Sequence, residues 1–157
     1  MNLFILTLLL NTTYPKTINN CEISNNIVNS IIGVETNNRS IIGDNHLIND
    51  YSVGVGQIRL STAKWMIDSK IIKGYELELI KDLLKYDNDL TQWLLIEEIN
   101  KIFIINYLQY ICRLKKGDFK QTIIAYNTGP NAKQSVISNA GKRYFNKFLK
   151  IYNKISK

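Results

Sequence analysis

Between Leu90 and Lys115 the chain turns apolar side chains in nearly every direction around a helix: Leu94, Leu95, Ile99, Ile102, Phe103, Ile104, Ile105, Leu108, Ile111 and Leu114. A helix that is apolar all round has no face for water and belongs at the centre of a bundle. Glu97, Glu98, Asn100, Lys101, Asn106 and Gln109 interrupt the run too often for a bilayer span. Gly117 supplies a stop, and Asp118 caps a further helix reaching Tyr126, which Asn127-Thr128-Gly129-Pro130 ends. A last amphipathic helix is predicted from about Gly141 to Ile155. Upstream, residues from Glu22 to Val34 read as the first helix, Ser61 as the N-cap of a second, and the stretch near Tyr75 to Lys85 as a third. No strand-length alternation competes, apart from room for a small hairpin within residues 40–60. The expected fold is mainly α, organised around one buried helix.

With 157 residues, the chain is long enough for one real core and too short for two domains of ordinary size. Leu3 to Leu10 is an apolar run too short to cross a bilayer. No Lys or Arg precedes it, and no Ala-x-Ala-like site follows before Pro15, so a cleaved signal and a retained hydrophobic segment both stay open. Polar residues from Asn11 to Asn20 read as a linker, which gives a hydrophobic segment and linker at 1–20 and a helical domain at 21–157. The formal charge of +7 favours an anionic partner, whether nucleic acid, an acidic membrane surface or a wall polymer. Its densest basic run, Lys142, Arg143, Lys147, Lys150, Lys154 and Lys157, has mostly helical spacing and reads as a solvated helix face. Cys21, Cys112 and His46 cannot assemble a metal site at zinc-like spacing. Cys112 sits in an apolar run and reads as a buried thiol, with a Cys21–Cys112 disulfide open to it if the protein is exported.

One carboxylate stands out by position. On a helix ending near Val34, Ile23, Ile27 and Ile31 share a face, and Glu35 falls four residues after Ile31 and three after Ile32. It emerges at the apolar edge of a helix end, where hydrocarbon disfavours its charged form and lets it keep a proton near neutral pH, as a general acid must.

Four motifs in order surround this residue. Glu35-Thr36 is followed by Gly54-Val55-Gly56-Gln57, then Thr62-Ala63, then Ala125-Tyr126-Asn127-Thr128-Gly129-Pro130. Together they resemble the catalytic Glu-Ser, the Gly-Leu-Met-Gln or Gly-Leu-Gly-Gln, the Thr-Ala and the Ala-Tyr-Asn-x-Gly-Pro of the lysozyme-like lytic transglycosylases, over about Ile23 to Tyr152. The resemblance implies a goose-lysozyme-like helical domain that cleaves the β-1,4 bond between N-acetylmuramic acid and N-acetylglucosamine in peptidoglycan, at a periplasm or cell wall or in association with a virus. Glu35 would be the catalytic acid and then base, assisted by the substrate's acetamido group, with a 1,6-anhydro product and no metal or cofactor. Thr36, Ser52, Gly54, Gln57, Tyr126, Asn127 and Tyr144 would bind substrate: Tyr126 through its phenol to Glu35 and its ring to a sugar, and Gln57 and Asn127 through their amides. Gly54 and Gly56 would let backbone approach the sugar, and Tyr144 resembles the family's late tyrosine near the acid.

Two departures matter. Thr36 stands where the family usually has Ser, and the loop from Glu35 to Gln57 is longer than in the commonest members. The serine that orients the acetamido group is assigned to Ser52, with Asp44 the competitor. Asp44 and Asp50 lie in turn-like Gly-Asp-Asn and Asn-Asp contexts and read as turn residues. Were either to activate water opposite Glu35, the enzyme would be an inverting lysozyme. A wall-binding component of a secretion machine or virus particle would keep the groove without turnover. Nucleic acid is not an expected partner, because no recognised binding motif is present.

Overall fold

The computed structural model describes residues 14–43 and 50–157. The segment from Leu3 to Leu10, Asp44 and His46 lie outside the described residues. The domain is mainly helical, with a single two-stranded sheet among the described residues. Helix α1 spans Asn25–Thr36, strands β1 (Ser52–Val53) and β2 (Ile58–Arg59) form an antiparallel hairpin, and α2 covers Leu60–Asp68. Then come α3 (Gly74–Tyr86), α4 (Leu90–Leu94), α5 (Glu97–Leu114), α6 (Phe119–Thr128), the short α7 (Gln134–Val136), a π-helical turn over Ile137–Gly141 and α8 (Lys142–Ile155).

The buried central helix is α5, whose Phe103, Ile104, Leu108, Ile111 and Cys112 are fully enclosed. The apolar run that begins at Leu90 is nevertheless two helices. Leu94 O accepts from Asn100 Nδ2 and Leu95 O from the Ser40 hydroxyl, so both carbonyls turn to tertiary partners, and the helix restarts with Ile96 O accepting from Asn100 N. Gly117, at φ 79°, and Asp118, whose carboxylate accepts from Gln121 N, end α5 and start α6 as the sequence predicts. The first helix begins later than Glu22, because Ser24 caps it by accepting from Ile27 N, and it runs on to Thr36 before Asn37 turns left-handed at φ 53°. Ser61 is not a cap: α2 starts at Leu60, and the Asp50 carboxylate takes the cap's place by accepting from both Ser61 N and Ser61 Oγ.

Helices α1 and α8 lie antiparallel and in extensive contact: Asn26 at the start of α1 bonds Ser156 just past the end of α8, whereas Glu35 at the end of α1 bonds Tyr144 at the start of α8. Beneath them Phe119, Phe145, Phe148 and Tyr152 pack ring to ring. The described part of the N-terminal stretch does not hang free. Ile18 N donates to Gly117 O, Phe119 N donates to Lys16 O, and Tyr14 packs on Phe119 and Phe145. The two cysteines are joined as a Cys21–Cys112 disulfide, so Cys112 is not a free thiol.

The hairpin turn Gly54-Val55-Gly56-Gln57 is held from behind by one side chain of α5. Asn100, fully buried, accepts from Gly56 N at 2.9 Å and donates to Val53 O at 3.0 Å and Leu94 O at 2.9 Å. A Cβ on Gly54, which sits at φ 80°, would overlap Asn100 Nδ2 and Leu94 O, and one on Gly56 would overlap Ile104. Asn100→Ala strands three backbone groups away from water and is expected to destabilise the fold by about 3 kcal/mol. Chemical denaturation would measure it, and a loss under about 1 kcal/mol would mean that the turn is held by other contacts.

Candidate active site

Glu35 occupies the last turn of α1, one helical turn beyond the buried Ile31 and Ile32. Its Oε1 accepts from the Tyr144 hydroxyl at 2.7 Å. Burial pushes its pKa from the ordinary 4.5 up to about 7, against the downward pull of the Tyr144 hydrogen bond. Burial and the nearby Glu35 charge together hold the Tyr144 phenol well above its usual range, so it remains a donor at any ordinary pH. Because a hydrogen bond to a carboxylate favours the ionised form, Tyr144→Phe is expected to raise the Glu35 pKa above its present value. A carboxyl-carbon NMR titration reads this directly, and an unmoved or lowered midpoint would show that the bond does not tune the acid.

Two cavities meet at Glu35. The larger, about 410 Å³, is lined by Ser52, Gln57, Ile58, Arg59 and Thr62 on the hairpin side and by Tyr107, Tyr126, Asn127, Thr128 and Gly129 on the α5–α6 side. The smaller, about 300 Å³, is bounded by Val34, Ala140, Arg143, Tyr144 and Lys147. Glu35 and Asn127 line both, so a long ligand crossing from one to the other passes over the carboxyl. Glu35 is the one carboxylate among the described residues that line either cavity.

The structure brings Ser52, Gln57, Tyr126 and Asn127 to the larger cavity with Glu35, and Tyr144 to the smaller one. Three expected roles change. Thr36 is buried, its hydroxyl donating to Val55 O at 2.9 Å; it straps α1 to the hairpin turn instead of contacting substrate. Gly54 and Gly56 do permit a close approach, but to Asn100 and Ile104 of α5, and Gly54 lines neither cavity. The Tyr126 phenol donates to Gly56 O at 2.8 Å and not to Glu35, which fixes the hairpin turn against α6. Burial, with the Glu35 and Tyr107 charges adding to it, raises this phenol well above its ordinary pKa.

Gln57 keeps part of its assigned role. Both hydrogens of its Nε2 are used, on Ile41 O and Gly54 O, which leaves the amide oxygen as the group able to accept from a sugar hydroxyl. Asp50 is committed to capping α2. Burial acts to raise its pKa, but the bonds from Ser61 and the Arg59 and Lys64 charges outweigh this and hold it below the usual carboxylate value. The site also contains residues that the sequence did not mark. Tyr107 packs against Tyr126 with ring centroids 5.6 Å apart, and Arg59 lines the larger cavity. Neither belongs to a motif; the sole signal was their place, one on an apolar helix and the other just after the glycine turn.

Comparison with known proteins found no match among family models, curated proteins or solved structures. Among the described residues, no helix is long and apolar enough to cross a membrane.

Proposed function

We propose that this protein is a peptidoglycan lytic transglycosylase that cleaves the β-1,4 bond between N-acetylmuramic acid and N-acetylglucosamine. The observation that carries the reading is Glu35 itself: a carboxyl with its pKa lifted to about 7, at the junction of two cavities that no other described carboxylate lines. A glycosidase working with two carboxylates needs the second within about 5–10 Å on the opposite side of the sugar. A transglycosylase needs one, because the substrate's acetamido group stands in for the nucleophile. Protonated Glu35 donates to the leaving glycosidic oxygen. Now a carboxylate, it takes the proton of the muramic acid C6 hydroxyl as that oxygen closes on the anomeric carbon, which leaves a 1,6-anhydro end and regenerates the acid. A pKa near 7 suits a group that must give and then take a proton near neutral pH.

Around this centre, Ser52 would orient the acetamido group, the Gln57 amide oxygen and the exposed Asn127 amide would bond sugar hydroxyls and acetamides, and the Tyr126–Tyr107 pair would carry a sugar face. The reading implies export to a periplasm or cell wall, or release with a virus particle. The Cys21–Cys112 disulfide supports export, since such bonds persist in oxidising compartments.

Mass spectrometry of the fragments released from purified peptidoglycan tests the proposal. Products ending in 1,6-anhydromuramic acid, absent with Glu35→Gln, are the expected result. Reducing ends would identify a hydrolytic lysozyme and point to Asp44 as the water-activating partner, since Asp50 is engaged with Ser61. Binding to the wall with no fragments from the wild type would identify a wall-binding component without turnover.

A further inference from the structure

The smaller cavity is built differently from the larger. Arg143 and Lys147, one turn apart on α8, line it together with Glu35 and Asn127, and both are exposed. Neither forms an ion pair among the described residues, although Lys81, Lys85 and Lys101 on α3 and α5 each pair with a carboxylate on their own helix. No Asp or Glu follows Asp118 in the sequence, so α8 carries no carboxylate to neutralise them. Lys150 and Lys154 continue the row at helical spacing, so that with Arg143 and Lys147 a strip of unopposed positive charge extends about 16 Å from the cavity along α8. A solvated helix face would not need to begin inside a cavity that shares the catalytic carboxyl.

We infer that Arg143 and Lys147, backed by Lys150 and Lys154, bind carboxylates of the peptide attached to the muramic acid next to the bond being cleaved, making the enzyme selective for peptide-bearing glycan. This rests on the proposed transglycosylase reading. In intact peptidoglycan the muramic acid lactyl carboxyl is spent in the amide bond to the stem peptide, so the anion nearest the scissile bond is a carboxylate of that peptide. The fork of Arg143 can take such a carboxylate in a bidentate pair, with Lys147 as a second point charge. A protonated Glu35 beside them adds no repulsion to an incoming anion.

The test uses the full chain carrying Glu35→Gln, which holds glycan without cutting it. Equilibrium binding is measured, at low and at high salt, to soluble glycan strands with their peptides and to the same strands with the peptide carboxyls converted to amides, since stripping the peptides with an amidase would bare a lactyl carboxylate on every muramic acid. The expected result is at least about fivefold tighter binding to the unmodified strands at low salt, shrinking as salt screens the pairs. Adding Arg143→Gln and Lys147→Gln should bring the ratio close to one, while the charge-conserving Arg143→Lys and Lys147→Arg pair should keep most of it. Equal affinity of the parent for both strands overturns the inference and leaves the transglycosylase reading standing. So does an unchanged ratio in the Gln variants, or tighter binding to a phosphate-rich wall polymer than to peptide-bearing strands. Binding to neither strand removes the reading and the inference together.

Discussion

Glu35→Gln is expected to reduce peptidoglycan cleavage by about three orders of magnitude and, at pH 8, to make the protein more stable by about 3 kcal/mol. The first effect follows from general acid catalysis, whose removal costs about 10²–10⁴ in rate. The second follows from the pKa of about 7 in the fold against 4.5 for an ordinary glutamate. The folded state binds this proton more tightly than the unfolded chain does. Below about pH 4.5 the carboxyl is protonated in both states and imposes no penalty. As pH rises from 4.5 to 7 the unfolded chain releases the proton first, and the wild type loses stability. Above 7 the buried carboxylate imposes its full penalty, at about 1.4 kcal/mol per pKa unit. Glutamine fills the same space, can still accept from the Tyr144 hydroxyl and never ionises.

The wild-type and variant melting temperatures should therefore nearly coincide at pH 4 and separate through the interval from 4.5 to 7, with the variant higher. A variant less stable than the wild type at pH 8 would show that the carboxylate is held by favourable contacts and is no acid at neutral pH. Cleavage by the wild type should fall as pH rises through about 7, because the protonated fraction of Glu35 falls with it. An acid held at an ordinary pKa would put that decline near 4.5 instead. Opposite signs for rate and stability in one substitution mark a site whose strain serves its chemistry.

What could be read from the sequence was whatever a side chain does along its own segment. The run of Ile27, Ile31 and Ile32 put Glu35 at an apolar edge, and the structure finds it there with the raised pKa that such an edge implies. The helical architecture and small hairpin were legible because apolar periodicity and the Gly117-Asp118 punctuation are local signals. Roles that depend on what a distant segment does were not. Asn100 looked like a polar interruption of a long helix, yet it is the residue against which the glycine turn is built, and the turn's partner lies more than forty residues away in sequence. Thr36 and Gly54 were read as facing a ligand and the Tyr126 hydroxyl as facing Glu35, but each satisfies a backbone or packing demand of the hairpin that motif spacing alone does not reveal. Ser61 lost its cap for the same reason, since Asp50, eleven residues earlier, arrives first. In this fold the two glycines of the motif serve the candidate site indirectly, by fixing the wall that carries Ser52 and Gln57.

Removing the disulfide by Cys21→Ser with Cys112→Ser is expected to cost about 4 kcal/mol and to lower the melting temperature by roughly 10 °C. The bond links positions 91 residues apart. Closing a loop of that length in the unfolded chain carries an entropy worth between about 4 and 5 kcal/mol, and a domain of this size loses roughly 2–4 °C per kcal/mol. The structural consequence is specific. Cys21 ends the stretch whose Lys16 and Ile18 pair with Phe119 and Gly117, and Cys112 lies on the last turn of α5, so the bond clamps the N-terminal stretch to the α5–α6 junction just ahead of α1. Both cysteines are buried, Cys112 completely, so a reductant should act slowly on the native protein and quickly once denaturant opens it. Urea unfolding with and without dithiothreitol checks both statements. The midpoint of the wild type should drop to that of the double variant after reduction in denaturant, and the variant should not respond. A wild type whose midpoint ignores reduction would mean that the two sulfurs are not joined in solution. Because the clamp lies in the scaffold behind α1, the double variant should keep the raised Glu35 pKa at temperatures where it is folded, which separates loss of stability from loss of the site.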